Sequence, residues 1–302
     1  MSISTSPASG TQHTIRHGAY EATIASVGAT LRELTYDARN LVVPFDADEV
    51  RPKFRGATLA PWPNRIVGGT YVFEGEEHKV ALTEPERGHA LHGLVAWLDF
   101  TLVSSSASEV TLEGVIQAQV GYPWRVVLTV TNTLTDDGLT TTVTATNTAA
   151  SPAPWGTGPH PYLVAGPGHV DDWTLDLPAA QVLLTTELLA PTELAPVAEA
   201  GLDWQQPHAI GDVFIDHAFT GFSEARVRLT SPSGTGVEMT WGAETPWVQL
   251  HTADQPDPAL SRLGLAVEPM TCPPDSFNSG TDLIVLQPGE SSTAGWKITA
   301  IG

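Results

Sequence analysis

Cations and cysteine are what this chain has least of. Its 302 residues carry 14 Lys plus Arg against 34 Asp plus Glu, a formal net charge of -20. Phosphate backbones are bound by clustered cations, and no run of this sequence is basic, so nucleic acid is not expected as a partner. An anionic membrane surface is disfavoured by the same repulsion. A neutral small molecule is neither steered nor repelled by such a field. The one cysteine, Cys272, has no second cysteine to pair with, which suits a reducing compartment. No apolar run approaches a membrane span, and the opening MSISTSPASGTQHT has neither the basic nor the apolar segment of an export signal. The expectation is a cytoplasmic protein.

Several chemistries lack their signatures as well. There is no cysteine pair, no HExxH and no acid-rich calcium loop. His89 and His92 stand three apart and could ligate from one turn, but no further ligands accompany them, so no metal and no cofactor is expected. No G-x-S-x-G elbow occurs, Cys272 reads as a small apolar filler, and GTGPHP has neither the helix nor the spacing of a phosphate cradle. Helical periodicity of any length is missing; FDADEVRPKF, residues 45–54, offers a helical turn.

What is present is alternation. In RVVLTVTNTLTDDGLTTTVTATNTA, Val126, Leu128, Val130 and Leu134 oppose Val127, Thr129, Thr131 and Thr133. After the turn at Asp136, Asp137 and Gly138 the pattern resumes, which predicts a hairpin with a threonine face toward water. Similar runs recur along the chain, with a turn at Glu74-Gly75, and the 27 glycines and 24 prolines supply many more turns. No linker of biased composition and no fixed-period repeat divides the sequence. We therefore expect an all-β protein, a large antiparallel β-sandwich in a single domain over 13–302, behind a flexible N-terminal tail at 1–12. The acidic surface predicts a monomer or small homo-oligomer.

Between the strands lie segments dense in Trp, Pro, Gly, His and Arg, at 51–69, 83–98 and 150–173, and loops on a rigid β scaffold are where chemistry gathers. Five polar stretches stand out: APWPNRIVGG with Asn64 and Arg65, ERGHALHG with His89 and His92, GPHPY with His160, VFIDHAFTG with Asp216 and His217, and LAVEPMTCPPDSFNSG with Glu268. Glu268 follows Leu265, Ala266 and Val267, and Pro269 is expected to halt that buried strand there. A carboxylate at such a spot costs free energy unless it has partners or a task. It could equally cap the strand end by accepting from backbone N–H groups. His160 is wedged between Pro159 and Pro161, which restrict the backbone on both sides; taken alone, this reads as a structural histidine. Asp216, after Val213, Phe214 and Ile215, could form an Asx-turn. Together the polar groups and the nine tryptophans and five tyrosines suit a sugar ring, which has apolar C–H faces and a girdle of hydroxyls.

The stretches PWPNRIVGGTYVFEG, HALHG, GPHPYL, DHAFTG and VEPMTCPPDSFNSG followed by LQPGE, in this order, resemble the aldose 1-epimerase (galactose mutarotase) family over roughly residues 15–300. That resemblance implies a large antiparallel β-sandwich of the mutarotase-like supersandwich type. It also implies interconversion of the α and β anomers of a free aldohexose through ring opening and reclosure. Carried over by position, Glu268 resembles the family's general base and His160 its general acid. Asn64, Arg65 and His92 resemble groups holding the sugar near the reacting centre, Asp216 and Gln249 further sugar contacts, and Tyr162 a weaker one. A carboxylate at Asp216 or Glu268 is expected to raise the pKa of His160 by favouring its cation. PWPN, GYPWRV and His251 depart from the familiar galactose enzymes and leave the preferred sugar open.

Three other functions compete. A hexose-6-phosphate 1-epimerase would use the same fold and needs a cationic pocket, for which Arg51, Arg55, Arg65 and Arg87 are candidates. A sugar-binding protein could keep the pocket without turnover. A glycoside hydrolase would use Asp216 and Glu268 as its carboxylate pair, and then His160 has no role.

Overall fold

The alternation at 126–147 folds as a period-two chain must. In the computed structural model, which describes residues 6–302, Val126–Thr135 and Gly138–Asn147 pair antiparallel with Thr135 opposite Gly138. Val126, Leu128, Val130, Val143 and Ala145 enter the core, whereas Thr129 faces Thr144 and Thr131 faces Thr142 on the other side. This hairpin lies within a nine-stranded sheet ordered Thr101–Ser105, Glu109–Ile116, Val126–Thr135, Gly138–Asn147, Ser291–Ile301, Gly236–Trp241, Arg226–Thr230, Thr174–Asp176 and His208–Ala209. Its neighbouring strands are antiparallel throughout.

A four-stranded sheet, from Gln12–His17 through Tyr20–Ala25 and Thr30–Tyr36 to Arg39–Asn40, and a six-stranded sheet make up the opposing layer. The six-stranded sheet runs Tyr162–Leu163, Leu265–Met270, Trp247–His251, Asp216–Phe222, Ala179–Thr185 and Pro191–Pro196. Backbone bonds from Val43 N–H to Tyr162 O and from Val164 N–H to Leu41 O join the two edge to edge. Ile15, Ala22, Ile24 and Leu34 of the smaller sheet share one hydrophobic core with Phe219, Val248, Leu250, Leu265 and Val267 of the larger. Val227, Leu229, Val237 and Met239 of the nine-stranded sheet complete it. Each such side chain removed from water contributes about 1.5–3 kcal/mol before the entropy of ordering is subtracted. The result is the expected antiparallel β-sandwich.

Three expectations need revision. Residues 1–5 of the expected tail lie outside the described residues. Beyond them the chain is held: Ser9 is buried, its N–H and hydroxyl both donate to Ala47 O, and Gln12 already opens a strand. The helical turn expected within 45–54 shrinks to the 3-10 turn Pro52–Phe54, with Lys53 and Phe54 at φ of 48° and 57°. Pro269 does not halt its strand, which continues to Met270. Val267 and Thr271 donate to Pro161 O and Thr157 O on the neighbouring segment, so Pro269 falls where only one rung of that seam goes without a donor. The turn at Glu74-Gly75 has φ of 51° and 86°, the double positive value that a two-residue hairpin turn favours.

Candidate functional site

Because Val248, Leu250, Leu265, Val267 and Phe219 point into the core, the residues between them emerge on the opposite face of the same sheet. Register then aligns them: Glu268 lies beside Gln249, Gln249 beside Ala218, and Asp216 beside His251. These chemistry-bearing residues, far apart in sequence, thus share one patch. Tyr162 joins it from the next strand, which pairs with Leu265–Ala266. The patch floors a cavity of about 410 Å³, within the range of roughly 300–1,000 Å³ typical of small-ligand sites. All eight expected residues line it: Asn64, Arg65, His92, His160, Tyr162, Asp216, Gln249 and Glu268.

His160 reaches this patch through backbone pairing on both sides of its segment. Its own N–H donates to Ala57 O and its carbonyl accepts from Gly56 N–H, while Pro161 O and Thr157 O accept from the strand that carries Glu268. The prolines at 159 and 161 therefore present their missing donors on the side away from residues 56–57, and His160 keeps both of its bonds. Its ring stacks on Tyr162 at 5.2 Å between centroids and meets His92 edge-on at 4.9 Å. Nε2 lies 3.4 Å from Glu268 Oε1. Tyr162 is itself fixed by donating its hydroxyl to Lys53 O.

The second wall comes from residues 53–65 and 83–92. His92 donates from Nδ1 to Pro63 O at 2.7 Å, which leaves Nε2 as an acceptor. Its φ is 63°, and Gly93 follows at φ 71°, where an added Cβ would lie 2.0 Å from Ala60 O. Such backbone is costly for an ordinary residue and concentrates at sites where a side chain has to be aimed. Arg65 forms a bidentate pair with Glu84, Nε to Oε2 at 2.8 Å and Nη2 to Oε1 at 3.1 Å, and its Nη1 donates to Asn64 Oδ1. Gln249 donates to Asp216 Oδ1 at 2.6 Å.

Burial sets the electrostatics. Glu268 is 1% exposed, and desolvation, followed by the charge of Asp216, pushes its carboxyl well above the ordinary range, with Arg65 opposing. The expectation that a carboxylate raises His160 fails. Desolvation, then His92 and His251, hold its imidazole well below the ordinary histidine value. His92 is lowered to about 3, chiefly by burial. His160 Nδ1, Gln249 Oε1, His251 Nδ1 and Glu268 Oε2 are buried without hydrogen-bond partners. Orphaned polar atoms around one cavity are free to bond a ligand rich in hydroxyls.

Several lining residues escaped the sequence reading: Phe54, whose ring is 4.7 Å from His92, and Glu84 and Asp254, while Arg87 was considered only as a phosphate ligand. His251 was noted only as a departure. Glu84 had a faint signal, an acid just ahead of ERGHALHG, but its pairing with Arg65 spans 19 residues. The His89-x-x-His92 spacing does not converge on a metal, since His89 Nε2 bonds Leu188 O and lies outside the cavity. Among the described residues no group of three or more His, Cys, Asp or Glu is arranged to hold a metal ion.

Comparisons with known proteins give the family and the fold. The sequence profile of the family described as aldose 1-epimerase matches residues 11–299. The chain is 36% identical to the uncharacterized protein YihR of Escherichia coli (strain K12), covering 96% of this chain and 93% of the other. With the galactose mutarotase of Sus scrofa it shares 31% identity over 55% of this chain and 50% of that one. Its fold is shared with an aldose epimerase homologue from C. elegans, at TM-score 0.85, 20% identity and coverage of 96% and 99%. A galactose 1-epimerase from Lactobacillus acidophilus NCFM matches at TM-score 0.79, 19% identity and coverage of 96% and 94%. Matched over nearly its whole length, the chain belongs to the aldose 1-epimerase family.

Proposed function

We propose that this protein interconverts the α and β anomers of a free aldohexose, with Glu268 and His160 as its acid–base pair. The observation that carries this reading is the approach of His160 Nε2 to Glu268 Oε1, 3.4 Å, at the base of a cavity ringed by hydroxyl-binding groups. Glu268 takes the proton of the anomeric O1–H while protonated His160 delivers one to the ring oxygen O5, and the C1–O5 bond breaks to give the aldehyde. Rotation about C1–C2 presents the other face. O5–H then returns its proton to His160 as O5 attacks C1, and Glu268 returns its proton to O1. No atom or electron pair is gained or lost.

The perturbed acidities suit these roles. A carboxylate whose pKa is raised is a stronger base, and an imidazolium whose pKa is lowered is a stronger acid. Ring opening turns the carboxylate and imidazolium into carboxylic acid and neutral imidazole, the forms that burial favours, so the dry site stabilises the open-chain stage. Arg65, beside Glu268, supports the charged stage before it. Asn64, Arg65, His92, Asp216, Gln249 and Tyr162 would orient the ring, and orientation matters because two proton transfers must be aligned at once.

A free sugar is favoured over a hexose 6-phosphate because Arg51 and Arg55, two of the four candidate phosphate ligands, do not line the cavity. Arg51 donates to Val27 O, Thr30 Oγ1 and Ala96 O, and Arg55 donates to Pro44 O with its guanidinium 5.5 Å over the Tyr162 ring. Polarimetry on fresh α-glucose, α-galactose and glucose 6-phosphate tests the reading. The parent should accelerate anomerisation of a free hexose, and His160→Asn and Glu268→Gln should each lose about 10²–10⁴-fold, the usual contribution of one positioned proton transfer. Variants as active as the parent would sink the assignment, and preference for the phosphate would replace it.

A further inference from the structure

Glu84 is 5% exposed and faces two guanidinium groups. It takes Arg65 through both carboxylate oxygens and Arg87 Nη1 through Oε1. Its backbone is equally tied: its N–H donates to His89 O, and its carbonyl accepts from Arg87, Gly88 and His89. All three side chains line the cavity. Two cations at a sugar pocket would ordinarily draw an anion, because a guanidinium fork fits phosphate or carboxylate bidentately. Here the Nε and Nη2 edge of Arg65 is already occupied by a carboxylate that offsets its charge, and one N–H of Nη1 is bonded to Asn64 Oδ1, which leaves one N–H on Nη1 and one on Nη2 for a ligand.

The charge count points the same way. Lys53, Arg65 and Arg87 are the lining cations, while Glu84, Glu86, Asp216, Asp254 and Glu268 are the lining acids. Without Glu84 the wall at 65–87 would keep two arginines against the single, exposed acid Glu86.

We propose that Glu84 is the specificity and positioning residue that closes this site to anionic sugars and holds Arg65 for a neutral hydroxyl. The inference rests on the acid–base reading of the cavity above and names the substrate class it admits. Glu84 touches no reacting atom; it acts through Arg65.

The experiment compares glucose with glucose 6-phosphate in the parent, Glu84→Gln, Glu84→Asp and Arg87→Met. It reads anomerisation by polarimetry and binding by titration calorimetry. Glu84→Gln should raise KM for glucose more than it lowers kcat. It should also shift the ratio of kcat/KM for glucose 6-phosphate to that for glucose upward by about tenfold, the scale of one unit charge in a partly buried site. Glu84→Asp should restore most of that ratio. Arg87→Met, a change at a half-exposed rim residue, removes a cation from Glu84 and should move the ratio downward. Equal losses on both sugars in Glu84→Gln, or a ratio that moves the same way in Glu84→Gln and Arg87→Met, would overturn the proposal. If the parent binds sugars without anomerising them, the catalytic reading fails while the calorimetric ratio still decides the role of Glu84.

Discussion

His92→Asn isolates one consequence of burying an imidazole at the site. In the folded chain His92 is lowered to about 3, whereas in the unfolded chain it sits near 6.5. As pH falls below 6.5 the unfolded state takes up a proton that the folded state refuses, so stability is lost on acidification until the folded group titrates. Between pH 7 and pH 5 the unfolded group gains most of its proton and the folded group almost none. At about 1.36 kcal/mol per unit, the loss assigned to His92 is about 2 kcal/mol. His160, His13 and His217 add losses of the same sign and Glu268 opposes them, so the parent's total slope mixes all of these groups. The difference between parent and variant cancels the groups that His92 does not touch and leaves its own term together with the smaller change in His160 beside it. Asparagine suits this position because it tolerates φ of 63° and its amide can donate to Pro63 O as Nδ1–H does. Urea unfolding followed by tryptophan fluorescence at pH 7 and pH 5 should show the parent losing about 2 kcal/mol more than His92→Asn. Equal losses would refute the buried neutral histidine, and with it the assignment of Nε2 as an acceptor for a sugar hydroxyl.

Two further outcomes follow from the same geometry. The active pair carries one proton, so kcat/KM should be bell-shaped in pH. Its acid limb should lie below the ordinary histidine value, because His160 is lowered, and its alkaline limb above the ordinary glutamate value, because Glu268 is raised; an acid limb at or above the ordinary histidine value would contradict this. Gly93→Ala forces a Cβ to 2.0 Å from Ala60 O at a φ of 71°. It should cost about 3 kcal/mol and lower Tm by several degrees with a loss of glucose affinity through His92; an unchanged Tm would show that the backbone there yields.

Much of the architecture was legible because period two is a local property. Val126, Leu128 and Val130 against Thr129 and Thr131 name a strand and its buried face without reference to anything distant. The boundaries were less legible. Pro269 reads as a stop, and it continues the strand because its missing donor falls on a seam already thinned by Pro159 and Pro161. The tail from Ser9 reads as loose and is held by Ala47, a partner 38 residues away.

The site divides in the same manner. Sequence by itself determined which residues are chemically out of place: Glu268 in an apolar run, His160 between prolines, Asp216 after Phe214 and Ile215. A charge or a stiffened ring in an apolar setting is a local cost, and a local cost can be read from neighbours in the chain. Only the tertiary structure decided the acidities and the partners. Whether a carboxylate raises a histidine or burial lowers it depends on which term is larger once both are packed, and here desolvation leads for His160, His92 and Glu268 alike. The pairing of Arg65 with Glu84, and the row of Glu268, Gln249 and Asp216, arise from sheet register and loop closure between segments that carry no mark of one another in sequence.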